Sequence, residues 1–116
     1  MSAETDFRAA LLAHPPLAAL LGDRIAANAI SAKQPAPYVV FNSSHEPQYG
    51  LDGTKHLDRV TFEVQCWATS QAAADAVADA VEAALAPAGG TLLSRSTAYD
   101  GELAMDAAVL TVEWWD

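Results

Sequence analysis

The stretch Val60-Thr61-Phe62-Glu63-Val64-Gln65-Cys66-Trp67-Ala68-Thr69-Ser70-Gln71-Ala72-Ala73-Ala74-Asp75-Ala76-Val77 changes its hydrophobic period part-way along, and that change decides the fold class. Up to Trp67 the chain alternates. Val60, Phe62, Val64 and Cys66 fall on one side, and Thr61, Glu63, Gln65 and Trp67 on the other, which is the pattern of a strand covered on one face. Beyond Ser70 the repeat lengthens. Ala73, Val77, Val81 and Leu85 recur every four residues, flanked by Ala76, Ala80 and Ala84, while Gln71, Asp75, Asp79 and Glu82 occupy the opposite arc and read as a solvated face. Thr69 or Ser70 can cap this helix and Pro87 with Gly89-Gly90 ends it, so the spacing predicts a strand followed by a helix over 70–86. Alanines favour the helix and let it approach a sheet closely, but each brings little apolar area. The Val and Leu positions therefore carry most of the burial.

Downstream, Leu92 to Tyr99 reads as a strand, Asp100-Gly101 as a turn, and Leu103 to Trp115 as a further strand with Ala108, Leu110, Val112 and Trp114 on its apolar side. Upstream, Glu4 to Ala13 places Phe7, Ala10 and Leu11 on a helical stripe, and Pro15-Pro16 bends the chain into a second short helix through Leu17, Leu20 and Leu21 that Gly22 closes. Asp23 to Ala32 holds a short strand or an irregular crossing. Tyr38-Val39-Val40-Phe41, directly after Pro37, is a short strand with no strong face preference. Between it and Val60, Ser43 to Leu57 is polar and contains Pro47, Gly50 and Asp52-Gly53, so it reads as a long hairpin loop or a protruding arm. The order helix, strand, strand, helix, strand, strand predicts an α+β fold. Its sheet is antiparallel and mainly four-stranded with helices packed chiefly on one face, in one domain over residues 1–116.

Size agrees with one core, since a chain of 116 residues buries roughly two-thirds of its unfolded surface. Hydrophobic residues at 52% and charged residues at 18% exclude a disordered chain or a coiled-coil rod. The formal charge of -9 opposes a grip on nucleic acid, because affinity for a duplex comes largely from Lys and Arg displacing its counterions. One cysteine permits no internal disulfide, and neither a secretory leader nor a membrane-spanning stretch is read in the sequence.

Residues able to do chemistry are scattered. His45 and His56 stand at opposite ends of the polar segment with Asp52 or Asp58 able to orient an imidazole, but they read first as two solvent-exposed histidines of a structural loop. Cys66 shares the Val60-Phe62-Val64 face and reads as a small buried hydrophobe rather than a nucleophile. No paired cysteines, HExxH, calcium-loop spacing or phosphate-binding glycine fingerprint is present, so no cofactor and no metal is expected. Lys55 and Arg59 read as ion-pair or interface groups. Trp67 and Trp115 point away from the apolar sides of their strands, which suits either packing at the rim or anchoring against another subunit.

In order along the chain, Leu20-Leu21-Gly22-Asp23-Arg24-Ile25, Pro37-Tyr38-Val39-Val40-Phe41, Phe62-Glu63-Val64-Gln65-Cys66-Trp67-Ala68, the alanine-rich helix from Ala72 to Leu85 and the closing Val112-Glu113-Trp114 resemble one known family. It comprises the small tail-completion or tail-terminator proteins of long-tailed bacteriophages and of gene transfer particles. The resemblance implies a structural protein without catalytic residues, forming a homohexameric ring at the head-proximal end of the tail tube. Its implied partners are the tail tube protein, the head-side connector and other copies of itself. DNA would pass through the lumen without sequence-specific binding, and no membrane is involved. The implied location is the head-tail junction of a virion or phage-like particle, assembled in the bacterial cytoplasm. Asp23, Arg24, His45, Tyr49, Asp52, Lys55, Trp67 and Trp115 are the candidate interface residues. Two other readings stand beside this one: a non-viral adaptor that buries Trp67 or the polar segment against a partner, and a small enzyme using His45 or His56.

Overall fold

The computed structural model describes residues 3–22, 24–27, 36–53 and 55–115, the side chains of residues 55–57 excepted. Two helices open the chain, α1 (Ala3–Leu12) and α2 (Pro15–Leu21), followed by strands β1 (Ile25–Ala27), β2 (Tyr38–Tyr49) and β3 (Lys55–Ala68). The helix α3 (Gln71–Leu85) and the strands β4 (Thr91–Asp100) and β5 (Met105–Trp115) complete it. Five strands make one sheet in the order β1-β2-β3-β5-β4. Every neighbouring pair is antiparallel except β1 and β2, which run parallel over the three residues of β1. The α+β class and the one-sided helical cover agree with the sequence, and β1, the short strand left open over Asp23 to Ala32, adds a fifth strand whose parallel pairing makes the sheet mixed rather than antiparallel throughout.

The period change at Thr69-Ser70 is where β3 gives way to α3. The Ser70 side chain accepts a hydrogen bond from the Ala73 amide at 3.1 Å, satisfying one of the donors that a helix start leaves open. Val60, Phe62, Val64 and Cys66 are all fully buried beneath the helices, beside Ala108, Leu110, Val112 and Trp114 of β5 and Val39 and Phe41 of β2. On α3, Val77, Val81 and Leu85 face the core as expected. Ala73 does not: it is exposed, and Ala74 and Ala78 are buried in its place. At 3.6 residues per turn a strict four-residue repeat drifts around the helix, so the stripe through Val77, Val81 and Leu85 passes Ala74 rather than Ala73 at its start.

The amino-terminal helices close one end of the core. Phe7 and Leu11 of α1 and Leu17 and Leu21 of α2 are fully buried, with Pro15 in the first turn of α2 after His14 at its N-cap. Gly22 ends α2 at φ 60°, and Arg24 fastens the exit by donating from Nε to the Pro37 carbonyl at 2.9 Å and from Nη2 to that of Leu20 at 3.3 Å. The chain from 28 to 35 lies outside the described residues.

Of the two readings of Ser43 to Leu57, a long loop or a protruding arm, the structure has the arm, built as a strand pair rather than a loop. β2 and β3 remain paired out to Tyr49 and Lys55, with a register shift at Gln48/Tyr49, and only a short turn joins them. Strand ladders are held by main-chain hydrogen bonds, which polar side chains do not oppose. The missing signal was an apolar face, since beyond the contacts of Glu4 with Ser43 and His45 no described helix packs on this part of the ribbon. At about 3.3 Å per residue the 14 residues of β3 reach about 46 Å. That is nearly the full 51 Å length of a molecule only 29 and 23 Å across its other axes.

Candidate functional site

The arm projects into solvent at its tip. Tyr49 and Leu51 near its tip stand well out in solvent, as do Asp52 and Gly53. Its base is fastened to the helical layer by one cluster. His45 Nε2 lies 2.8 Å from Glu4 Oε2 on α1, Nδ1 lies 3.5 Å from Asp58 Oδ2 on β3, and the Ser43 hydroxyl donates to Glu4 Oε2 at 3.2 Å. The shared hydrogen bond holds the Glu4 carboxyl below its ordinary range and pushes the His45 imidazolium up. Because the two carboxylates meet opposite nitrogens of the ring, they offer no common point to a metal ion. Among the described residues no group of three or more His, Cys, Asp or Glu is placed to hold one. The sequence named Asp58 as a carboxylate that could orient an imidazole. It could not show that Glu4, 41 residues away, is the closer partner.

The sheet face away from the helices carries Trp67 and Trp115. Trp67 is half-buried and its indole N–H donates to Gln65 Oε1 at 3.1 Å, while Gln65 in turn donates to Glu63. Trp115 is 48% exposed and its indole N–H donates to Glu113 Oε1. Beside it, Arg59 Nε lies 2.9 Å from Glu113 Oε2. Among the described residues this face therefore presents two aromatic plates with their polar edges tied to neighbours, which leaves exposed ring surface for contact.

The acidic arc of α3 is more than a solvated face. Arg95 of β4 reaches over it, with Nη1 2.8 Å from Asp79 Oδ1 and 2.9 Å from Glu82 Oε1, and Nη2 3.4 Å from Asp75 Oδ1. These carboxylates, Asp79 foremost, raise the Arg95 pKa further above its already high value. Sequence reasoning left Arg95 unassigned, since a lone arginine in an exposed strand carries no pattern.

Of the candidate interface residues, Tyr49 and Asp52 lie at the arm tip, His45 at its base, and Trp67 and Trp115 on the uncovered sheet face. Arg24 is engaged within the chain. Asp23 and the Lys55 side chain lie outside the described residues. The structure thus sorts the described candidates into an arm group and a sheet-face group.

Neither of two recesses among the described residues gathers reactive groups. One is lined by Glu82, Leu85, Gly90, Leu92, Leu110 and Val112, the other by His14 amid Ala10, Ala13, Ala84, Pro87 and Ala88. Cys66 is buried with its thiol pushed up to about 12, which keeps it protonated and unreactive. No described helix is long and apolar enough to cross a membrane.

The family model for tail completion protein gp17 matches residues 5–115. The chain belongs to this family. As a tail completion protein it is a structural component of phage or phage-like tails, and that membership sets the enzyme reading aside. Among solved structures, a chain from the virion of a native gene transfer agent particle is similar, with a TM-score of 0.77 at 20% identity over 97% of this chain and 92% of that one. That likeness is one of fold. Curated proteins give no significant match.

Proposed function

We propose that this tail completion protein forms a ring that ends the tail tube on its head-proximal side and joins it to the head-side connector, with DNA passing through the lumen. The observation that carries the reading is the family match over nearly the whole chain. A small protomer encloses a channel only by repetition about an axis, and six copies at -9 each would bring a formal charge of -54 to it. Such a ring would repel DNA rather than hold it, which suits passage without sequence-specific binding.

The arm bearing Tyr49, Leu51 and Asp52 is the docking element toward the tail tube protein or the connector, and Trp67 and Trp115 are anchors on the uncovered face. Large rigid aromatic surfaces with satisfied N–H groups lose little side-chain entropy on binding. Particles lacking the protein test the reading. Tails of irregular length, or tails separated from filled heads, are expected in electron micrographs. Tails of uniform length joined normally to heads in its complete absence would overturn it.

A further inference from the structure

The edge strand β4 is lightly guarded, with one irregularity at its start and one inward-turned cation, Arg95. A strand at the border of a sheet offers a row of open main-chain N–H and C=O groups, and proteins block such borders with Lys, Pro, bulges or a covering element. β4 has ten residues, all but the last exposed, and among the described residues no strand pairs with its outer side. It contains no Lys and no Pro. Its one irregularity, between Leu92 and Ser94, sits at its start, and from there to Asp100 the register with β5 is regular. Arg95, its one cation, is turned onto α3 and neutralised there. Leu92, Leu93 and Tyr99 add exposed apolar area along the same border.

We infer that β4 is a seam between copies of this chain, pairing with the β1-side border of the next copy so that the sheet continues from one subunit into its neighbour. Directions permit it. β2, β3, β5 and β4 alternate and β1 runs parallel to β2, so β4 of one copy beside β1 of the next is an antiparallel pair. The two borders belong to different strands on opposite sides of the sheet, so the contact is head-to-tail, the kind that closes into a ring under rotation. Pairing of β4 with β4 would stop at two copies. Each junction then uses main-chain hydrogen bonds against the three residues of β1, about 10 Å of strand, which side-chain chemistry alone would not reveal in the sequence. The inference rests on the ring reading above and specifies how the ring is closed.

The test uses the assembled form. The double variants Ala27→Cys/Ser96→Cys and Ser44→Cys/Ser96→Cys, incorporated into tails in producing cells, are treated with a short bis-maleimide and run on denaturing gels. Buried Cys66 does not compete. A ladder of covalent species up to the ring size is expected from at least one double variant, with no ladder from any single variant. Dimers from Ser96→Cys alone would show β4 against β4 and overturn the inference. Rings visible in micrographs with no ladder from either pair would overturn the seam and leave the ring standing. Tails that contain no copies of the chain would overturn both. Hydrogen exchange of the unmodified protein gives an independent measure: β4 amides should slow by about tenfold or more between free chain and ring, and unchanged β4 exchange would overturn the seam.

Discussion

The rings of Phe7 and Phe62 stack with their centroids 3.9 Å apart and their planes 14° from parallel. This one contact joins α1 to the middle of the sheet. Phe41 and Trp114 approach the same pair, with centroids 5.1 Å and 5.7 Å from that of Phe7, so α1, β2, β3 and β5 meet at one aromatic cluster. The helix that carries Glu4 at its start is thereby held over the base of the arm.

Phe62→Ala is expected to cost about 3–5 kcal/mol, because a fully buried ring leaves a cavity among partners that cannot all collapse into it. Combined with Phe7→Ala in a double-mutant cycle, the coupling should be about 0.5–1.5 kcal/mol beyond area burial. Urea unfolding of the four proteins measures it. Strict additivity would show that the stacked geometry contributes nothing of its own.

Arg95→Met should loosen the β4 edge by about 1 kcal/mol, since it removes the cation that Asp75, Asp79 and Glu82 share and leaves three carboxylates facing one another across one helical arc. The carboxylates are partly exposed, so the effect should shrink as salt rises. Arg95→Lys should restore only part of the loss, because an ammonium cannot serve two directions with a planar fork. Unfolding at low and high salt decides it; a loss independent of salt would assign the stabilisation to packing of the arginine stem.

What the sequence made legible follows from where periodicity exists. The Val60-to-Cys66 face, the α3 stripe and the Ala108-to-Trp114 face repeat because each packs against a neighbouring layer, and burial of that kind writes itself as a period. The arm has no covered face to write one, so its strands read as loop. The Arg95 cluster and the Glu4-His45-Asp58 cluster depend on residues brought together by topology over long chain separations, and no local spacing encodes them. Family resemblance reached further than either, because it was carried by several pieces in order rather than by one motif. Strand alternation, for its part, singled out Trp67 and Trp115 without showing that both indole N–H groups are tied to neighbours on the sheet.

The pairing of His45 with Glu4 sets a pH window. A raised His45 pKa contributes stability that is complete below 6.5 and lost as pH climbs through the folded value. A lowered Glu4 pKa contributes stability that is complete above 4.5 and lost as pH falls through its folded value. The attachment of α1 to the arm base is therefore strongest between those limits. His45→Ala should lower the melting temperature most within that window and progressively less toward pH 8, and because the imidazole is well exposed the effect should stay under about 1 kcal/mol. Melting curves across pH measure it, and a deficit that does not vary with pH would sink the assignment.

Folding and assembly should separate at the arm. No described residue from 48 to 57 belongs to the buried core, and Pro47 and Asp58 stand opposite each other in the β2–β3 ladder. Replacing residues 48–57 by Asn-Gly therefore closes a two-residue turn at a position the ladder already brings together. It leaves His45, Glu4 and Asp58 in place. Stability of the free chain should change by no more than about 0.5 kcal/mol, as for surface changes remote from packing. Joining of tails to heads should fall severely, because Tyr49, Leu51 and Asp52 go with the tip. Chemical denaturation reads the first outcome and counts of joined particles in micrographs the second. A shortened chain that folds and supports normal joining would remove the arm from the docking surface and leave Trp67 and Trp115 as the candidates there, whereas a shortened chain that does not fold would show that the ribbon stabilises the sheet it extends.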